Sequence, residues 1–321
     1  MDIAQFPAIR KWALLLATLS FLVVLISVCL RLNGSHQNCT GQADCVRDLV
    51  IGGLHLPISV IRALHRLTAS VSLVVAIFVT WSCLRPRPIQ PAARYSLLLL
   101  VLMLFLAVIG ILRVEPEAVW TRFANILGGL GLLSLSGQLV LATRCPVAET
   151  PGQAPSWILR AGLATLAATL VLGALIGSRV AAAACPSLPD CAGLWWPVAE
   201  SWANLNPLVL LSSSPLAGDT ANALHLLHRY CAVAALMLLG FFGVRGLRQP
   251  GTRSASISLL SLLALAAILG GLTVRSGVNL WLAIGHALLA GLLLVATHWL
   301  SLAERRVASA DYYRPTIHAA P

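Results

Sequence analysis

The sequence predicts an all-α integral membrane protein with eight transmembrane helices arranged as two pseudo-symmetric four-helix bundles. Three observations carry that expectation. Of 321 residues, 58% are apolar or aromatic and only 10% are charged. A soluble domain carries about 25% charged residues, so charge here is too scarce to cover a water-exposed surface. The apolar residues come in blocks, the pattern of a chain that crosses a bilayer repeatedly. The chain also repeats itself about its midpoint. Disorder, a small secreted disulfide scaffold and a soluble nucleic-acid binder are excluded. The net charge of +11 comes from basic residues between apolar blocks, where they set topology.

Eight stretches lack Asp, Glu, Lys and Arg, near 12–30, 67–84, 95–112, 123–143, 161–178, 230–244, 254–274 and 276–303. The second and sixth reach full length only if they begin earlier, inside the pairs His65-Arg66 and His228-Arg229. The first is not a cleavable signal, because no small-residue cleavage site closes it and further spans follow. Only Arg275 separates the last two, which predicts a tight helical hairpin. Thirteen basic residues fall in one set of connecting segments, from Arg10 and Lys11 to Arg314, and nine in the other. Two of those nine, Arg66 and Arg229, lie within helices, so the loop bias is sharper. The positive-inside rule then puts both termini in the cytoplasm of a bacterial-type inner membrane, with loops 32–58 and 179–219 facing the periplasm.

Cysteines agree with that placement. Cys39 and Cys45 share the first long loop, and Cys185 and Cys191 the second, in a compartment where disulfides persist. The alternative is four unrelated loop cysteines. Neither pair has the short spacing of zinc ligands. Cys29, Cys83, Cys145 and Cys231 read as small apolar residues or free thiols.

The repeat divides the chain into an N-terminal four-helix unit, residues 1–150, and a C-terminal one, residues 151–321. His65-Arg66-Leu67-Thr68-Ala69 opens the second span and His228-Arg229-Tyr230-Cys231-Ala232 the sixth. Ala107 to Val114 matches Ala267 to Val274, and Asn125-Ile126-Leu127-Gly128-Gly129 stands opposite His286-Ala287-Leu288-Leu289-Ala290. Two units in the same orientation, related by an axis along the membrane normal, follow.

Ionisable groups inside a membrane are costly and default to function. His228 and His286 come from the second and fourth helices of the C-terminal unit. Two imidazoles facing each other across a bundle suit a porphyrin iron, which takes axial ligands on opposite faces. Ala232 and Ala290 stand four residues after them on the same face, and Arg66 and Arg229 suit carboxylate side chains of the macrocycle. Plain helix packing also uses small residues, and a lone membrane histidine can serve only as a hydrogen-bond partner. Zinc lacks an evident third ligand, although His225, three residues before His228, keeps it open. In the N-terminal unit Asn125 takes the place of His286, so His65 has no partner histidine. That half holds either an open-faced site or a decayed one.

These residues resemble the heme A synthase family. The resemblance spans eight helices in two halves, a cysteine pair in each of two long loops, the two His-Arg pairs, the stretch from Gly270 to His286, and the segment Cys185-Pro186 through Cys191 and Trp196-Pro197. It implies an oxidoreductase that converts the methyl group of heme O to the formyl group of heme A, supporting terminal oxidase biogenesis. It further implies heme b as cofactor on His228 and His286, and substrate heme O on His65 beside Asn125. Both cysteine pairs would be disulfides, and heme O synthase or terminal oxidase subunits would be partners, with lipid around the chain and no nucleic acid. Two positions depart from the family pattern: Asn125 replaces a histidine, and Arg62 replaces an acidic residue three positions before His65. A non-catalytic heme-b-binding assembly factor or oxidase subunit is the alternative they raise. A membrane electron carrier is a further one, and transport has no paired charges in the spans to support it.

The remaining polar residues read blandly. His55 is a loop histidine or lines an entrance, His36 and His318 are exposed, and His298 is interfacial. Asp44, Asp48, Glu115 and Glu117 lie in wet loops or relay protons. Asn33 and Asn38 begin Asn-x-Ser/Thr triplets that matter only in a glycosylating host. Nucleotide-binding, serine-nucleophile and zinc-protease motifs are absent from the sequence.

Overall fold

A computed structural model describes residues 5–36, 48–51, 54–85, 92–111, 118–143, 156–179, 181–212 and 216–312. Its elements are α1 (Gln5–His36), β1 (Asp48–Ile51), β2 (Leu54–Pro57), α2 (Ile58–Leu84), α3 (Ala93–Ile111), α4 (Val119–Ala142), α5 (Trp157–Ser178), α6 (Ala199–Ala203), α7 (Pro207–Leu211), α8 (Gly218–Gly246), α9 (Pro250–Arg275) and α10 (Leu280–Tyr312). Eight of these helices are long and apolar enough to cross a membrane. The fold is nearly all-helical, as the sequence predicts. A small antiparallel hairpin, β1 against β2, pairs Leu49 with Leu56 and Val50 with His55.

Local chemistry accounts for the helix boundaries. Ser156 caps α5 by accepting the Leu159 N–H at 3.3 Å, and Asn206 caps α7 by accepting from Val209 at 3.0 Å. Each satisfies a donor that the first turn leaves open. Pro207 and Pro250 occupy first-turn positions, where the missing N–H costs nothing. Between α9 and α10 the chain reverses through Gly277 and Val278, at φ of 64° and 65°. Asn279 then accepts from Trp281 N at 3.0 Å to start α10. The hairpin read around Arg275 is therefore present, with a glycine supplying half of the left-handed turn.

α2 and α8 start well before their histidines, at Ile58 and Gly218. The sequence places the His-Arg pairs at the helix mouths. The structure puts them two or three turns inside, because Thr220, Ala221, Ala223 and Leu224 are buried and extend the packed face of α8 toward its start.

Among the described residues the two largest apolar cores follow the two halves. One joins α1 to α4 through Leu16, Val79, Leu99 and Leu139. The other joins α5, α8, α9 and α10 through Leu166, Leu239, Leu259 and Leu300. Across the seam α4 packs on α10, α4 on α5, and α1 on α10, the set of neighbours that a two-fold relation between halves would give. α4 and α10 interlock reciprocally. A Cβ on Gly137 would stand 2.6 Å from Val295 Cγ2, and one on Gly291 would stand 2.8 Å from Leu133 Cδ1. Small residues let membrane helices approach closely enough to pack without a hydrophobic drive between them.

Candidate functional site

His228 on α8 and His286 on α10 face each other. Their ring centroids are 6.5 Å apart and their planes meet at 76°. Each imidazole is held from behind by a neighbouring helix. His228 Nδ1 lies 2.9 Å from the Thr169 carbonyl of α5, and His286 Nδ1 lies 3.0 Å from the Ala266 carbonyl of α9. A carbonyl can only accept, so Nδ1 carries the proton in both rings and Nε2 presents a lone pair. That is the orientation of a metal-ligating histidine with its outer partner in place.

The separation also fits a metal between the rings. Imidazole–metal bonds of about 2 Å, with about 1.1 Å from nitrogen to ring centroid, put two collinear ligands about 6 Å apart. Glycines make room for both rings. A Cβ on Gly173 would stand 3.2 Å from His228 Cε1, and one on Gly270 would stand 3.0 Å from His286 Cε1. The donor set, two neutral imidazoles from facing helices, suits an iron porphyrin better than a hard cation.

The second long loop is fastened over this pair. Arg229 donates to the carbonyls of Asp190 at 2.6 Å, Pro189 at 3.3 Å and Cys185 at 3.3 Å. His225 Nε2 donates to the Ala181 carbonyl at 2.9 Å, and Tyr230 donates to the Trp195 carbonyl. Leu188 reaches α9 at Gly271, beside Gly270. Cys185 and Cys191 form a disulfide, as the sequence reading expects. Arg229 thus clasps loop carbonyls, and His225 has the same kind of partner. The extended start of α8 explains both, because it carries these side chains up to the loop.

Asp190 braces the loop from within. Its carboxylate accepts from Gly193 N at 2.6 Å and from the Ser187 hydroxyl at 3.0 Å. These bonds, the Gly193 N–H foremost, hold its pKa below the ordinary carboxylate value. A depressed folded-state pKa contributes stability that is complete above the unfolded value and disappears as pH falls through the folded one. The loop is therefore expected to loosen only in acid, below about pH 4. Asp190→Asn should make reduction of the Cys185–Cys191 disulfide faster at neutral pH and remove the acid step. Thiol-labelling rates against pH measure both.

The N-terminal half is more open. His65 is half-buried and Arg62, Arg66 and Asn125 are exposed. No hydrogen-bond partner of the His65 ring occurs among the described residues. His298 Nε2 lies 3.3 Å from the Tyr95 hydroxyl of α3, and Arg94 donates to that hydroxyl at 2.9 Å. Tyr95 is buried, so this contact joins the halves at the end of the bundle away from the long loop. Cys29 and Cys83 are buried free thiols and Cys231 is a partly buried one. The Cys39–Cys45 pair, Asp44, Glu115, Glu117, Cys145 and His318 lie outside the described residues, as do the side chains of His36, Asp48 and His55.

The profile of the COX15-CtaA family, cytochrome oxidase assembly protein, matches residues 124–298, more than half of the chain. The chain belongs to this heme A synthase family. It is 26% identical to the heme A synthase of Shewanella oneidensis over 254 residues, 73% of each chain. It is 33% identical to that of Novosphingobium aromaticivorans over 183 residues, 53% of this chain and 49% of the relative. A shorter stretch of 76 residues, 24% of this chain, is 40% identical to the Erythrobacter litoralis heme A synthase.

The heme A synthase profile runs from α4 to α10. It takes in His228, Arg229 and His286 with the helices that seat them, whereas Arg62, His65 and Arg66 precede it. Sequence reasoning missed Gly173 and the two accepting carbonyls. Gly270 was visible as a repeat match, but backbone acceptors carry no residue signature. Tyr95 gave no signal in the sequence, because its partner is 203 positions away.

Proposed function

We propose that the chain is a heme A synthase-like oxidoreductase, with heme b held by His228 and His286 and heme O as the substrate of the N-terminal half. The carrying observation is the facing pair of imidazoles, each with Nδ1 committed to a carbonyl and Nε2 presented. Heme b bound there supplies one-electron transfer. His228 and His286 ligate and orient it, Gly173 and Gly270 admit their rings, and the clasped loop 181–198 excludes water above them. His65, with no carbonyl behind it among the described residues, suits a ligand that must be exchanged. The two halves act as the units 1–150 and 151–321, with the long loops periplasmic and both termini cytoplasmic.

Membership of the family and likeness to named heme A synthases support the reaction, the oxidation of a heme O methyl group to the formyl of heme A. Co-expression with a heme O-producing system tests it. The expected result is extractable heme carrying the formyl group, seen by mass and by pyridine hemochrome. Recovery of heme O unchanged beside a bound b-type heme would overturn catalysis. It would favour a second reading, a heme-binding assembly factor or oxidase subunit, which Asn125 and Arg62 in the family's His and acidic positions motivate.

A further inference from the structure

We infer that Gly173 and Gly270, with the carbonyls of Thr169 and Ala266, are positioning residues that fix the plane and the proton of each axial imidazole. They thereby set the electronic state of the iron between them. The inference rests on the heme reading above. The two seats share one design although they sit on different helices. On α5 the accepting carbonyl of Thr169 precedes Gly173 by four residues, and on α9 that of Ala266 precedes Gly270 by four. Residues four apart stack on one helix face, so each ring lies along a groove with a hydrogen bond at one end and bare backbone beneath it.

The fit is close. Built Cβ atoms would approach the His228 ring to 3.2 Å and the His286 ring to 3.0 Å, inside ordinary carbon–carbon contact at about 3.5–4.0 Å. A methyl group at either place must push or rotate its ring. The ring cannot yield freely, because rotation stretches the Nδ1–H bond that fixes its tautomer. The repeat supplies an internal contrast. Gly110, matched to Gly270 in the sequence, has nothing within 4 Å of a built Cβ among the described residues, so none of their rings is seated on it. The device belongs to the C-terminal half.

The 76° angle between the rings gives the seats a readout that mere packing would not move. In a low-spin ferric heme the mutual orientation of axial imidazole planes governs the splitting of the iron d orbitals, and hence the EPR envelope. Donation by Nδ1–H strengthens the ligand and stabilises the ferric state. The experiment uses the full chain purified with its heme, as Gly173→Ala, Gly270→Ala and Gly240→Ala. Gly240 lies on α8 with nothing within 4 Å of a built Cβ, so its variant controls for a helix glycine as such.

The expected result is an altered low-spin EPR envelope and a raised midpoint potential in both seat variants, with heme retention falling about 10–100-fold. Gly240→Ala should match the parent. Seat variants with the parent's EPR envelope and potential would overturn the inference, as would equal losses in all three. If the alanine variants fail to fold, replacement of His286 by Nδ-methylhistidine removes the donor alone. The potential should then rise, and an unchanged potential refutes the positioning role. A parent protein without tetrapyrrole would overturn the heme reading itself, which is a different outcome.

Discussion

Replacing His286 with alanine is expected to abolish the low-spin b-type spectrum of the purified protein. Removing an outer partner of a metal-bound histidine costs about 10–100-fold in affinity, and removing the ligand itself should cost at least that. His286 is half-buried in a groove already opened by Gly270, so truncation leaves a cavity without unfolding α10. Circular dichroism should stay helical while the absorption at the heme wavelengths collapses. His228→Ala should behave the same way, because the proposed heme site needs both side chains. His225→Ala separates the readings. It should keep the spectrum and loosen only the loop, since His225 serves the Ala181 carbonyl.

The second large effect lies at the seam between the halves. Gly137→Leu and Gly291→Leu each insert a side chain where Val295 or Leu133 already stands. Overpacking of this kind costs about 1–3 kcal/mol per site. The sites are one turn apart on facing helices, so their costs will not simply add. α10 carries both His286 and the seam, which makes loss of heme on heating the natural measure. The expected outcome is a lowered temperature of heme loss for each variant. Gly137→Ala combined with Val295→Ala should recover most of the loss. Unchanged thermal behaviour in Gly137→Leu would mean that α4 and α10 do not meet along this line.

Much of the architecture is legible in the sequence for a simple reason. A bilayer demands long uncharged helices, so composition alone reports spans near 12–30 and 276–303, which the structure bounds as Ile9–Arg31 and Leu280–Val307. Histidines inside such spans stand out because burying them is costly. The pairing of His228 with His286 follows from the repeat, whose halves align at Gly110 and Gly270. Helix starts are less legible. α8 begins ten residues before His228, and the polar residues there, Asp219, Thr220 and Asn222, read as loop, although the helix continues through them and Thr220 is buried.

The role of Arg229 illustrates the same limit. Its position next to His228 invites a charge partner, and among the described residues it donates to main-chain carbonyls about forty positions earlier. Main-chain acceptors are invisible to residue type, and so are the seats at Thr169 and Ala266. Glycines are the readable trace of such seats, but many glycines in membrane helices serve helix packing alone. Gly137 and Gly291 do so here. Only the geometry separates a glycine that admits a ring from one that admits a leucine.

An experimental density map of the detergent-purified full chain tests the central claim most directly. The expected map shows a flat macrocycle between α8 and α10, its metal bonded to Nε2 of both His228 and His286 while each Nδ1 stays on its carbonyl. Imidazoles in direct contact, or lipid or solvent filling the space between them, would contradict it.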